Sequence, residues 1–302
     1  MSFFRYAIIV LLFVCFPIAS QAKVIDLSKA PAYPALYEPE SLTVDSPPDL
    51  VLLGADLVEI TVALGGAGRI LARPDPIDLP GISGTPNRMR EWAGVEGVAA
   101  LRPGLVIGSS VINRRLLDGL KSIGIETDLI DRTLPAIDKV ARMAKHLKAE
   151  ERGAALIANI EQDYKKAKAP KINGRPIRIL HASKMGAGSN FTAGGAETAV
   201  HNLIERVGAL NAAAEIGRDR YRPITPEGVM AMAPDVVIIS AAEIASFGDL
   251  DTFWKDYPGL AFTPAAENKN LIIMRELHVR ADAASSGIAS AQLATALKEL
   301  FE

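Results

Sequence analysis

Few side chains in this sequence can do chemistry, and they are widely spaced. His181 stands at the end of the apolar run Ile177–His181, Met185 follows it, and His278 comes shortly after the run Leu271–Met274. Tyr221 falls in a predicted loop, whereas His146 and His201 sit in polar or charged helical stretches and read as solvated. Imidazole, thioether and phenolate can each ligate a metal. Arginines supply the other chemistry. Arg73 and Arg280 are placed in loops of the two halves of the chain, and Arg88 and Arg90 stand close to Trp92. Their forked donors suit carboxylates, and an indole can stack on a flat ligand. The run MGAGSNFTAGGAE precedes a helix and can offer backbone N–H groups to an anion. It lacks the P-loop Lys-Ser/Thr and the dinucleotide fingerprint. Hydrolase elbows, H-E-x-x-H and C-x-x-C are missing, and the spacing does not support a triad of Ser183, His181 and Asp282. The chemistry expected is binding, not catalysis.

These residues need elements to hold them. Leu50–Leu53 is a short apolar strand, and Ala55–Leu64 follows with helical spacing. Strands over Arg69–Ala72, Leu105–Ile107 and Thr127–Ile130 alternate with helices over Val95–Leu101 and Asn113–Ile123. The alternation restarts with a strand at Ile177–His181 and a helix at Ala196–Val207. It continues through a helix at Glu227–Met232, strands at Val236–Ser240 and Leu271–Met274, and a helix at Ser285–Phe301. Short strands alternating with helices predict α/β lobes with parallel sheets, and near-continuous apolar strands predict burial on both faces. Between the halves, Pro135–Ala167 is helical, with a break expected near Lys148–Gly153.

One segment occurs twice. VEGVAALRPGLVI begins at Val95 and PEGVMAMAPDVVI at Pro226, an offset of 227 − 96 = 131 residues. Glu96 and Glu227, Val98 and Val229, and Pro103 and Pro234 coincide. Each copy reads as a helix with an acidic first turn, stopped by proline before a buried strand. Two lobes of one design, joined by one helical passage, enclose a cleft lined by loops at the C-terminal ends of their strands.

The ends and the composition set the compartment. Residues 1–22 carry Arg5, an apolar run and Ser20-Gln21-Ala22, the pattern of a cleavable secretory signal. The single cysteine, Cys15, lies inside that segment, so the mature chain is expected to have no thiol and to work in a periplasm. With 33 basic and 35 acidic residues and no basic stripe, nucleic-acid binding has no support. The expected divisions are a signal (1–22), an extended Pro/Tyr-rich arm with one strand near Ser41–Asp45 (23–49), an N-terminal lobe (50–133), a helical linker (134–168) and a C-terminal lobe (169–302).

On DLVLLGADLVEITVALGGAGRIL, GVEGVAALRPGLVI, YRPITPEGVMAMAPDVVII and PGLAFTPAAENKNLIIM, the chain resembles the substrate-binding proteins of bacterial ABC importers for haem, iron–siderophore chelates and cobalamin, most of all the haem branch. The resemblance implies two Rossmann-like lobes joined by a long rigid helix, with haem or a related ferric chelate as transported ligand and no catalytic cofactor. It also implies a monomer that meets a permease and its ATPase at the inner membrane. Glu96 and Glu227 match the surface glutamates that dock onto permease arginines; helix-cap carboxylates are the alternative. Arg73, Arg88, Trp92, His181, Met185, Tyr221, His278 and Arg280 become candidate ligand contacts, with His181 and His278 as candidate iron ligands. Each has a structural alternative: loop hydrogen bonds for the histidines, packing for Met185, a cleft wall for Tyr221, salt bridges for the arginines. One departure stands out. Haem-binding relatives place an iron-binding tyrosine before a proline in the loop after the second strand, and here Leu79 precedes Pro80. A siderophore, cobalamin, or an interaction or sensor role without ligand are the alternatives this leaves.

Overall fold

The first described strand, β1 (Val24–Asp26), does not join the lobe that follows it in sequence. It pairs in parallel with the edge of the far lobe's sheet, Val24 opposite Leu271. Lys23 adds a bond from Nζ to the Leu300 carbonyl at 3.0 Å. The expected free arm is thus tied down at its start, because its Val-Ile pair completes an apolar sheet edge. The computed structural model describes residues 23–29, 47–90, 93–185 and 190–302; the signal, the strand expected at Ser41–Asp45 and Trp92 lie outside them.

The first lobe holds β2 (Leu50–Leu53), β3 (Ile70–Arg73), β4 (Asn87–Arg88), β5 (Leu105–Gly108) and β6 (Glu126–Leu129) in the order β4-β3-β2-β5-β6, all parallel. Its central strand shows why the run is apolar throughout. Leu50 and Leu52 pack with Leu57 and Ile60 of α1 (Ala55–Ala63) on one face. Val51 and Leu53 pack on the other with Val98 of α2 (Val95–Ala99) and Leu117 and Leu120 of α3 (Arg114–Ser122).

The linker is two helices, not one rigid rod. α4 (Ala136–Leu147) ends where Lys148 takes a left-handed conformation at φ 55°, and α5 (Glu150–Lys166) begins anew. Gly153 permits their close approach, since a Cβ there would lie 2.5 Å from that of Ala144. Val140 and Met143 of α4 enter the first lobe's core, and α5 packs on the C-terminal helix.

A small hairpin, β7 (Lys171–Ile172) and β8 (Arg175–Pro176), opens the second lobe. Its main strands are β9 (Arg178–Met185), β10 (Asn190–Gly194), β11 (Leu210–Asn211), β12 (Tyr221–Pro223), β13 (Val236–Ser240) and β14 (Leu271–Met274). The order is β1-β14-β13-β9-β10-β12, with β11 beside β9. Interspersed are α6 (Ala199–Arg206), α7 (Ala212–Glu215), α8 (Pro226–Met232), α9 (Ala241–Ala245), α10 (Leu250–Asp256), α11 (Pro264–Glu267), α12 (Glu276–Arg280) and α13 (Ser286–Phe301). The sheet is parallel except at β10, which runs antiparallel to both its neighbours, β9 and β12. This corrects the reading of the glycine-rich run as an anion loop. Asn190 to Ala193 face Met185 to Ala182 in a strand ladder, and Phe191 is anchored between Phe247 and Tyr257.

The duplicated segment is duplicated in its backbone too. Both helices bury one valine, Val98 and Val229, and both are followed by a left-handed residue before proline: Arg102 at φ 52° and Ala233 at φ 42°. The lobes are not independent, however. Leu277, Ala281, Ala283 and Ala284, around and after α12, belong to the first lobe's core.

Candidate functional site

The C-terminal ends of the two parallel sheets face each other across a cavity of about 210 Å³. Ala55 and Asp56 after β2, Pro76 after β3 and Arg132 after β6 line one wall; Glu276, Leu277, Arg280 and Ala281 after β14 line the other. Ligands bind at this edge of open α/β sheets because strand ends there leave side chains and helix N-termini converging on one space. An ion pair between Asp78 of the first lobe and Arg275 of the second crosses between the walls. The cavity is smaller than the roughly 300–1,000 Å³ of a drug-sized site.

Tyr221 packs against Arg280, a residue of the second lobe's wall. On β12 it faces Gly194 of β10, where a Cβ would come within 3.2 Å of the Tyr221 ring and 3.0 Å of His181 Nδ1. Glycine makes room there for both rings. The Arg280 guanidinium lies over the Tyr221 ring at 4.6 Å from its centroid, and His181 meets the ring edge-on at 5.6 Å. The phenolic oxygen is buried and has no hydrogen-bond partner among the described residues. Burial pushes its pKa up to about 12; Arg280 opposes this, Glu243 and Glu276 add to it, and Arg132 opposes it again. Arg132 and Glu276 are cavity residues, so the phenol stands within electrostatic reach of the cleft.

Arg280 is pinned on two edges. Its Nη2 donates to Ser183 Oγ and to Glu243 Oε1, both at 2.7 Å, and its Nε pairs with Glu276 at 2.6 Å. Glu243 also accepts from Ser183 Oγ at 2.6 Å, Ser240 Oγ at 2.9 Å and the Lys184 N–H at 3.2 Å. Burial would raise the Glu243 carboxyl, but Arg280 and the two serine hydroxyls more than offset it and hold it below the usual range.

The remaining candidates are placed differently from their sequence reading. His181 is interior to β9, fully buried behind Tyr221, with Nε2 3.9 Å from Glu243. Burial first, then Arg280, drives its pKa down to about 3, so it is neutral, and it does not line the cavity. His278 is buried within α12. Met185 ends β9, and its side chain lies outside the described residues. Arg73 does not face the cleft. Buried, it donates to the Pro74 carbonyl at 2.8 Å, Asp75 at 2.9 Å and the Ile82 carbonyl at 3.4 Å. Arg88 serves the same loop through the Thr85 carbonyl at 2.5 Å and Asp75 at 3.6 Å. Leu79, in that loop, packs into the first lobe's core. Glu96 and Glu227 are exposed in the first turns of α2 and α8, in no ion pair among the described residues.

Sequence reasoning missed Asp56, Arg132, Glu243 and Glu276. Each follows a predicted strand within a few residues, which is the signal that marks a cleft residue. It also missed Val111 and Ile112, 56% and 80% exposed on the same edge just after β5.

Beneath the cavity, Lys139 is fully buried. Its ammonium bonds Asp56 at 3.3 Å, the Arg132 carbonyl at 3.3 Å and the Ala281 carbonyl at 2.8 Å. Nearby Glu59 is buried, and desolvation pushes its pKa up to about 7, against the opposing pull of Ser285 and Lys139. The folded state therefore holds a proton that the unfolded chain releases near the ordinary glutamate value of 4.5. The stabilisation this gives is complete below that value and is lost as pH rises through about 7, a loss of roughly 3 kcal/mol. Glu59→Gln is expected to remove that dependence, so its stability gain over wild type grows between pH 4.5 and 8. Urea unfolding across this range checks it; parallel curves would refute the assignment.

Residues 50–277 match the family described as periplasmic binding protein. Among curated proteins, none matches the chain. Among solved structures, the periplasmic heme-binding protein RhuT from Roseiflexus sp. RS-1, in apo form, superposes with a TM-score of 0.72 at 26% identity, covering 85% of this chain and 100% of that one. The periplasmic heme-binding protein BhuT, in complex with two hemes, gives 0.73 at 26% identity with coverage of 85% and 100%. The heme-binding protein HutB of Vibrio cholerae gives 0.71 at 24% identity with coverage of 83% and 99%, a likeness of fold.

Proposed function

The chain belongs to the periplasmic binding protein family, and from that premise we propose that it captures haem between its lobes and delivers it to an ABC importer of the inner membrane. The observation that carries the ligand is the Tyr221–Arg280 pair at the cleft. A phenol with no partner, buried beside a cation, is a group waiting for a Lewis acid. Ferric iron takes the place of the phenolic proton, and the guanidinium on the ring face favours the anionic form. RhuT and BhuT, at 26% identity, are named for haem binding. In this reading, ligation moves from the first lobe, where Leu79 is packed away, to the second. Val111 and Ile112 supply apolar surface for the porphyrin, and Arg132 meets a propionate. The signal at residues 1–22 sends the chain to the periplasm, and no described helix is long and apolar enough to cross a membrane.

Hemin titrated into the mature protein is expected to bind in the micromolar range or better, with a phenolate-to-iron charge-transfer band in the visible spectrum. Tyr221→Phe abolishes that band and weakens binding by about tenfold or more. A spectrum unchanged by Tyr221→Phe overturns the ligand assignment. Binding of ferric siderophore or cobalamin in place of hemin overturns the choice of cargo.

A further inference from the structure

The least explained group behind the cleft wall is Glu243. It is a carboxylate sunk at the end of β13, outside the set of residues lining the cavity, yet it takes four hydrogen bonds. Ser240, the last residue of β13 and the N-cap of α9, orients it from below through its hydroxyl, while the same hydroxyl accepts the Glu243 N–H at 3.3 Å. Ser183 on β9 donates to it and in turn accepts from Arg280. The result is a rigid relay from the sheet to one guanidinium edge.

We propose that Glu243 is a positioning residue: it holds Arg280 over Tyr221 and thereby fixes the cation that stabilises the iron-bound phenolate. This rests on the haem reading and deepens it. An arginine side chain left to itself has many rotamers, and the pair with Glu276 at 2.6 Å constrains only its Nε edge. With Nε and Nη2 both held, the guanidinium is fixed in place over the ring, its carbon 4.6 Å from the centroid. The charged groups acting on Tyr221 are Arg280 and Glu276 from α12, Glu243 from α9 and Arg132 from the first lobe, with neutral His181 at its edge. Glu243 repels a phenolate directly, so its benefit comes through Arg280 and vanishes without it.

Hemin titration followed by visible spectroscopy tests this on wild type, Tyr221→Phe, Glu243→Ala, Arg280→Ala and the Glu243→Ala Arg280→Ala pair. Glu243→Ala and Arg280→Ala are each expected to weaken binding by about tenfold and to diminish the charge-transfer band. In the Arg280→Ala background, Glu243→Ala costs no further affinity, because the residue has lost what it positions, and relief of its direct repulsion of the phenolate recovers part of the loss. A wild-type band in Glu243→Ala, or an equal effect in both backgrounds, overturns the proposal. Glu243→Met keeps the packing, cannot accept a strong hydrogen bond from Arg280, and carries the same comparison should the alanine variant not fold. Failure of the haem reading looks different: wild type does not bind hemin, or Tyr221→Phe keeps the wild-type spectrum.

Discussion

A protein carrying Glu96→Ala and Glu227→Ala together is expected to bind hemin as wild type does and to support almost no uptake. Both carboxylates project from the first turn of a short helix, one per lobe, exposed and in no ion pair among the described residues. A carboxylate needed only for its own helix would sit well there too, since it complements the positive helix end for about 0.3–1 kcal/mol. That role predicts a small loss of stability and nothing else. A docking role predicts far more, because close charge pairs across an interface couple by roughly 1.5–7 kcal/mol each. Losing two such pairs lowers docking by at least about a hundredfold. Growth on hemin as the only iron source, in cells whose haem import depends on this protein, reads the outcome. Purified protein read by hemin absorbance supplies the control. Uptake at the wild-type rate would return both residues to the role of helix caps.

The pairing of those two glutamates was legible because everything that creates it is local. A helix start, a buried valine and a proline stop recur at one spacing, and the backbone repeats them down to the left-handed residue before each proline. The same locality explains why β2, β5 and β13 were readable as strands: burial on both faces leaves an unbroken apolar run. What was not legible depends on partners distant in sequence. Val24–Asp26 is a strand only because Leu271–Ile273 offers an edge to it. Asn190–Gly194 reads as a flexible glycine-rich loop until β9 stands opposite. In the site, residue type alone ranked His181 and Arg73 with Tyr221 and Arg280. A histidine inside a strand and one at its end look alike in sequence, and burial separates them. Arg73 was drawn away by a loop whose carbonyls needed donors. Glu243 carried no signal beyond its position after a strand, since its meaning lies in Arg280, which is 280 − 243 = 37 residues away.

Lys139→Met is expected to destabilise the fold by about 3–5 kcal/mol, the cost of breaking a buried pair from one side. The side chain is fully buried and Asp56 nearly so, at 0% and 5% exposure. Methionine fills the volume but leaves a buried carboxylate unpaired, and the carbonyls of Arg132 and Ala281 lose their donor. Removing both charges with Asp56→Leu Lys139→Met recovers most of the loss, because two desolvated charges give up their solvation penalty together. Urea unfolding of the three proteins tests this, and equal stabilities would show that the ammonium carries no net weight. The single variant also reaches the cleft. Lys139 ties the first lobe's α1 and the strand-end residue Arg132 to Ala281, the residue after Arg280. Where the lobes meet, one buried cation sets the distance between Arg132 on one wall and Arg280 on the other. Hemin affinity is therefore expected to fall in Lys139→Met even under conditions where the variant is fully folded. The charge-neutral pair, with stability restored and that bond to Ala281 still missing, retains the weakened affinity.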